Sequence, residues 1–386
     1  MPCRILHVNT ASCIAGTENS LLQLVEGLDR SQFESYVALP SPGPLADALC
    51  RIDVPVLYAP LVRLRRTANP VRLARTAAAS TAAALLLAGH ARRRRVCLAH
   101  AHKTGALPVA GVAAALAGVP CIWHLRDFRV TPPGARLLAC LTDAAIAVSR
   151  AVLQASGITP DWGLPVRVIP NGIDADAFAA AARPGRFRTE LGLGPDDPLL
   201  LVAAQLVPWK GHRDFLHALA LARRGHPRVV AALAGADLFR DHPGYLAELR
   251  RLAHSLGLQD AVRFLGHRTD MPDLMADADL LVIPSEAEPF GRVALEAMAV
   301  GTPVVGRGTG GLPEVVEDGV TGRLTRPAEA AVPAALAELI CDLLADRPTR
   351  EAMGAAGRVR VREQFSLARH VEEVGSVYRQ VLHGRG

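Results

Sequence analysis

Residues 284–317, PSEAEPFGRVALEAMAVGTPVVGRGTGGLPEVVE, carry the densest chemistry of this 386-residue chain. They set Glu288 and Glu296 with seven residues between them and follow them with a second glycine turn, Gly310 and Gly311. Pro289 lacks a backbone donor and disfavours helical geometry at the residue before it, so Glu288 falls in a loop. From about 291 to 299 the good helix formers Ala, Leu, Glu and Met predict a helix, with Glu296 a turn and a half inside it. The N–H groups of Phe290, Gly291 and Arg292 then point out of the helix start. Together they make an anion site with two hydroxyl-binding carboxylates beside it. A phosphate with sugars on both sides, as in a nucleotide sugar, suits it.

The length fits two domains better than one. Half the residues are hydrophobic, enough for a large core. Seven cysteines are scattered, odd in number and without a Cys-x-x-Cys, which points to a reducing compartment and away from disulfides or a zinc site. The first ten residues, MPCRILHVNT, read as a strand rather than a secretion signal. Positive charge concentrates in the first half. Between Arg63 and Arg95 there are nine arginines and no acid, around an alanine- and leucine-rich run. One reading is a solvated helix rim; the sharper one is contact with anionic lipid or a lipid-linked substrate. The apolar run, about 13 residues against the roughly 20 a membrane needs, argues against spanning. No aromatic interleaving or known motif supports nucleic-acid binding.

Short apolar runs alternate with helical stretches, the signature of parallel sheets covered on both faces. Strands are predicted at 4–8, 35–39, 56–58, 96–99, 120–124, 144–148 and 166–169. The rhythm then restarts at 199–203, 229–233, 262–264, 280–283 and 303–305. Between the sets, 174–198 reads as a linker, and 333–382 is nearly all helical. Two doubly wound domains would bind ligands at the carboxyl ends of their strands.

Gly16 sits in the first strand–helix turn, either to relax that turn or to let a ligand approach the backbone. His124 ends a predicted strand and is expected to face a cleft. His100 and His102 form a His-x-His pair, but two ligands without a third argue against a metal. The chain uses 41 arginines and only two lysines, Lys103 and Lys210. Lysine in QLVPWKGH, at a strand end before a helix, suggests that a compact ammonium meets a phosphate or leaving-group charge there. Asn171 begins an Asn-Gly turn, and the Gly310–Gly311 turn offers free N–H groups for a second part of a phosphate.

Together these segments resemble glycosyltransferase family 4, which has the GT-B fold: an α/β architecture of two Rossmann-like doubly wound domains facing across a cleft. The resemblance runs through AGTEN, the strand ending in His124, VIPNGID, the Lys210-Gly211 turn, SEAEPFGRVALEAMAVGTPVV and GGLPEVVEDGVTGRL. It implies an acceptor-side domain over 1–175, a nucleotide-sugar domain over 176–365 and a helix at 366–386 returning to the first domain. Catalytic roles fall on Lys210, at the donor diphosphate, Glu288, at the transferred sugar, and His124, at that sugar's C6 side. Substrate-binding roles fall on Glu296, at the ribose, and on Gly16, Gln205, Phe290, Gly291, Arg292, Gly310 and Gly311. No metal and no cofactor are implied. One departure stands out: the family places an arginine five residues before the lysine, where this chain has Gln205, so Arg292 or Arg307 would have to reach in.

The expected activity is transfer of a sugar from a UDP- or GDP-sugar to an acceptor hydroxyl with retention at the anomeric carbon. The acceptor is expected to be a glycan or a lipid-linked molecule in cell-surface polysaccharide or lipid glycan synthesis. The expected place is cytoplasmic, peripheral at the inner face of the membrane. The rivals are a glycosidase using paired carboxylates, a sugar-nucleotide epimerase on the same fold, and a non-catalytic nucleotide-sugar-binding protein.

Overall fold

The computed structural model describes residues 2–63, 69–128, 132–326 and 331–384. The chain divides into two compact units, Met1–Gly172 with Leu367–Gly386, and Ile173–Ser366. The first holds seven strands: β1 Cys3–Val8, β2 Phe33–Leu39, β3 Val56–Tyr58, β4 Val96–His102, β5 Cys121–Leu125, β6 Ala144–Ala147 and β7 Val166–Val168. They pair in parallel in the order β3-β2-β1-β4-β5-β6-β7. The second holds β8 Leu199–Ala203, β9 Val230–Ala234, β10 Val262–Gly266, β11 Leu280–Ile283, β12 Val304–Arg307 and β13 Gly322–Thr325. Their order is β10-β9-β8-β11-β12-β13, again parallel.

In each sheet the first strand lies beside the fourth. There the winding changes direction, and the loops leaving the two strands part to either side, so a crevice opens at their carboxyl ends. The central strands are apolar and buried on both faces, as parallel sheets demand: Leu199, Leu200 and Leu201 on β8, and Leu280 and Leu281 on β11, are fully buried. This is the doubly wound fold the alternating pattern predicts.

Three expectations change. The stretch read as a linker is folded: the helices Ala175–Ala180 and Arg186–Leu191 lie in the second unit. Asp277 caps the second of them, accepting from Gly185 N at 2.5 Å, Phe187 N at 2.8 Å and Arg188 N at 3.0 Å. Its alanines, glycines and prolines suited a linker, and the capping aspartate lies some ninety residues away in sequence. β13 escaped notice because it is four residues long and begins at a glycine, where β propensity is poor. The third change concerns the basic stretch. It contains a 25-residue helix, Pro70–Arg94, long and apolar enough by length and composition to cross a membrane. Counting only the apolar run missed this, because the helix continues past it at both ends, from Pro70 and on to Arg94. Ala83, Ala84, Leu87, Ala88 and Ala91 are buried, and the helix packs along Leu107–Ala117. Val71, Leu73 and Leu85 are exposed. The remainder of the arginine stretch, 64–68, lies outside the described residues.

The helix Leu367–His383 belongs to the first unit. Its Val374, Val377 and Tyr378 join Leu24, Leu28 and Phe33 in one core cluster.

Candidate functional site

In the second unit, three loops meet at the crevice between β8 and β11. The loop after β8 ends in a short 3-10 turn, Pro208–Lys210, closed by Gly211 at φ 73°. The loop after β11 carries Glu288 and ends at Gly291, φ 94°, which caps the helix Arg292–Val300. The loop after β12 brings Gly310 and Gly311. Lys210 Nζ lies 2.5 Å from Glu288 Oε2, with both side chains mostly buried, and 4.4 Å above the Trp209 ring. Gly311 N donates to the Glu288 carbonyl at 2.7 Å, and Glu288 bridges Gly310. Gly310 has to be glycine: φ is 63°, and a Cβ would sit 2.4 Å from the Glu288 carbonyl oxygen. The structure thus brings Lys210, Glu288, Gly291, Gly310 and Gly311 together. Phe290 contributes backbone only, since its ring is buried against Phe365 at 6.1 Å between centroids. The amides of Phe290 and Gly291 have no partner among the described residues.

The helix start predicted at Gly291 falls at Arg292. Glu296 accepts from Arg292 Nε at 3.1 Å, one turn back on the same helix. Burial pushes the Glu296 carboxyl up and the Arg292 guanidinium down, and the pairing offsets both. Only one Glu296 oxygen is used, so the other can take a hydroxyl. The expectation that Arg292 or Arg307 reinforces Lys210 fails, because Arg292 is committed to Glu296 and Arg307 lies 3.4 Å from Asp214. Gln205 sits in the loop after β8 with no side-chain partner among the described residues. Lys210 is therefore the cation of this crevice that is held against Glu288.

In the first unit, Gly16 opens the helix Gly16–Gly27 with ordinary φ, and a Cβ there would meet nothing within 4 Å. Turn geometry does not require glycine here. His124 differs from expectation. It is fully buried, because β5 lies between β4 and β6, and His124 pairs in register with His102 and Ile146. Its Nδ1 is 3.1 Å from His100 Nε2 and 3.3 Å from Arg126, while Nε2 is buried without a partner. His7, on β1, supplies the third histidine that the sequence argument lacked: His7, His100 and His102 place their ring nitrogens within 4.8 Å of one another. The count of ligands therefore no longer argues against a metal. Hydrogen bonds occupy all of these nitrogens but one, His102 Nδ1, which is buried without a partner. His7 Nδ1 meets His102 Nε2 at 3.0 Å and His7 Nε2 meets Ser35 at 3.2 Å, while His100 Nδ1 meets Tyr378 at 2.6 Å.

Burial holds these imidazoles neutral. His7 is pushed down from 6.5 to about 3, and burial followed by neighbouring charges, Arg126 among them, sets His100, His102 and His124 well below 6.5. Such a histidine takes its proton only on unfolding. Its stabilisation is complete above 6.5 and is lost as pH falls toward 3. Each group costs about 1.4 kcal/mol per pH unit through that window. The melting temperature is expected to fall steadily between about pH 7 and pH 5; a calorimetric profile flat over that range would contradict the buried neutral cluster.

Sequence reasoning did not anticipate that Lys103, Glu18 and Asn9 lie together. Lys103 Nζ lies 2.5 Å from Glu18 Oε1, and Glu18 is fully buried. The scarcity of lysine pointed to Lys103 as strongly as to Lys210.

The family described as Glycosyltransferase Family 4 matches residues 14–177, and that described as Glycosyl transferases group 1 matches residues 185–360. The chain belongs to glycosyltransferase family 4. Alpha-maltose-1-phosphate synthase of Mycobacterium tuberculosis is 37% identical over 226 residues, 56% of this chain and 57% of its own. D-inositol 3-phosphate glycosyltransferase of Xylanimonas cellulosilytica is 35% identical over 265 residues, 65% of this chain and 60% of its own. The chain thus spans little more than half the length of these curated relatives. The crystal structure of Anabaena HepE in complex with UDP-glucose has a TM-score of 0.81 at 27% identity, covering 98% of this chain and 99% of that one. The architecture of this family 4 chain is GT-B.

Proposed function

We propose that this chain is a retaining, metal-independent glycosyltransferase that moves a sugar from a UDP- or GDP-sugar to an acceptor hydroxyl. The observation that carries the reading is the Lys210–Glu288 pair beside the partnerless amides of Phe290 and Gly291. A diphosphate arriving there takes the ammonium and the amides, and Glu288 turns to the hydroxyls of the transferred sugar. Glu296 takes the ribose. UDP-glucose in the HepE complex supports UDP as the donor nucleotide. Retention would follow if the leaving phosphate oxygen accepts the acceptor's proton on the face it departs from. The protein then positions the reactants and stabilises leaving-group charge. The test is turnover of Lys210→Ala and Glu288→Ala, each expected to fall by at least about tenfold; near-wild-type rates in both would overturn the assignment. The non-catalytic binding reading has its own support, since neither Arg292 nor Arg307 joins Lys210. It predicts nucleotide-sugar binding without turnover in the unmodified chain.

For the acceptor, a glycan or lipid-linked molecule handled at the inner face of the membrane remains the proposal. It is supported by Val71, Leu73 and Leu85 standing exposed on the helix Pro70–Arg94, which has arginines at both ends. Vesicles rich in anionic lipid are expected to sediment the protein at low salt and release it as salt screens the charge. Equal sedimentation with neutral vesicles, or none at low salt, would refute this.

A further inference from the structure

The ammonium of Lys210 is held from two sides. Glu288 Oε2 lies 2.5 Å away on one, and the face of the Trp209 indole lies 4.4 Å from it on the other. Trp123 is fully buried, whereas Trp209 is 41% exposed. Among the described residues of the second unit, no other Trp, Tyr or Phe is so exposed. Core packing therefore does not decide where this ring lies. Its backbone, by contrast, is fixed. The Trp209 carbonyl accepts from Glu286 N at 2.9 Å, which ties the turn Pro208–Lys210 to the loop carrying Glu288. Gly211, next along, packs directly on the Pro284 carbonyl. The indole is thus presented from a rigid turn, with Lys210 lying over its face.

In the proposed reaction the ammonium must leave Glu288 for the diphosphate. Lysine has a flexible four-carbon stem and no planar fork to preset its direction, so breaking the ion pair frees its end. No second cation covers for a misplaced one: Arg292 is bound to Glu296, Arg307 lies against Asp214, and Gln205 is uncharged. An indole face attracts a cation through its quadrupole, and does so best where water is kept away. The Lys210 side chain retains only 15% exposure. The ring carries no net charge. It can therefore hold the ammonium without repelling phosphates as a carboxylate does.

We propose that Trp209 is a positioning residue, whose indole keeps the Lys210 ammonium in the crevice as it passes from Glu288 to the diphosphate. The proposal rests on the donor-site reading of the second unit.

The test has a part that needs no ligand. The chain has only two lysines, so carbon-13-labelled lysine gives two ε-methylene signals, and Lys210→Ala identifies one of them by removing it. In wild type the indole face should shift the Lys210 signal upfield, and Trp209→Leu should return it downfield. The upfield shift should persist when wild type is saturated with UDP or GDP. The second part is calorimetric titration with UDP and GDP of wild type, Trp209→Leu, Trp209→Phe, Lys210→Ala and the Trp209→Leu, Lys210→Ala double variant. Trp209→Leu should weaken the nucleotide that binds by about tenfold, and Trp209→Phe, which keeps a smaller ring, by less. Adding Trp209→Leu to Lys210→Ala should cost nothing more. Melting temperatures of the Trp209 variants should match wild type, because the ring is exposed. The proposal is overturned if Trp209→Leu leaves the Lys210 signal in place, or if saturation abolishes the upfield shift. It is also overturned if Trp209→Leu weakens binding equally with and without Lys210, which would put the ring on the nucleotide itself. If neither nucleotide binds wild type, the donor reading falls instead, and the ligand-free shift still decides whether Trp209 holds the ammonium.

Discussion

Lys210→Ala is expected to lower turnover by about a hundredfold or more, the effect of deleting one preorganised group that stabilises developing negative charge. The expectation follows from how few cations the crevice has. Arg292 is spent on Glu296, Arg307 lies against Asp214, and Gln205 brings no charge. Nothing among these replaces the ammonium when the diphosphate departs. The substitution also strands Glu288, whose carboxylate is mostly buried and would then repel the donor phosphates. Affinity for a nucleoside diphosphate should fall together with the rate, and Lys210→Arg should restore only part of either. An arginine carries the charge, but its planar fork does not fit a place shaped for a point charge. A loss confined to the rate, with affinity unchanged, would move Lys210 from the diphosphate to the acceptor side.

Gly211→Ala is expected to be among the most damaging small substitutions in the second unit. Gly211 has φ 73°, and a Cβ there would lie 2.0 Å from the Pro284 carbonyl oxygen and 2.6 Å from its carbon. Backbone cannot yield as a flexible side chain can, so the loops after β8 and β11 must separate. That movement pulls Lys210 away from Glu288. The cost is about 3 kcal/mol or more, a drop in melting temperature of roughly 6–12 °C, with loss of nucleotide binding. Gly192→Ala is the control. Its φ is 69°, but nothing lies within 4 Å, so it pays only for the backbone conformation, about 1–2 kcal/mol. Equal melting temperatures for the two variants would show that the close approach at Pro284 carries no weight.

The sheets were legible because parallel strands buried on both faces must be apolar runs, and twelve such runs stand clear in the sequence. β13 did not stand clear, since GRLT has no such run. The donor crevice was legible as well, because Pro289, Gly291 and the two glutamates fix a loop, a helix start and two carboxylates within a few residues. What stayed hidden depends on partners far apart in sequence. His124 ends its strand as expected, yet register with neighbouring strands buries it among His7, His100 and His102. Arg292 reads as a spare cation until its helix places Glu296 one turn away. The Lys103–Glu18 pair spans 85 residues, and only the strand order brings it together.

The central claim is that the crevice between β8 and β11 binds the diphosphate of a nucleotide sugar through Lys210. A thermal-shift titration with UDP, GDP and their sugars tests it most directly, because a ligand that binds only the folded chain raises its melting temperature in step with its affinity. At least one nucleoside diphosphate is expected to stabilise the wild-type chain, and Lys210→Ala to remove most of that stabilisation. A wild-type chain indifferent to every nucleotide, or a Lys210→Ala chain stabilised as strongly as wild type, would contradict it.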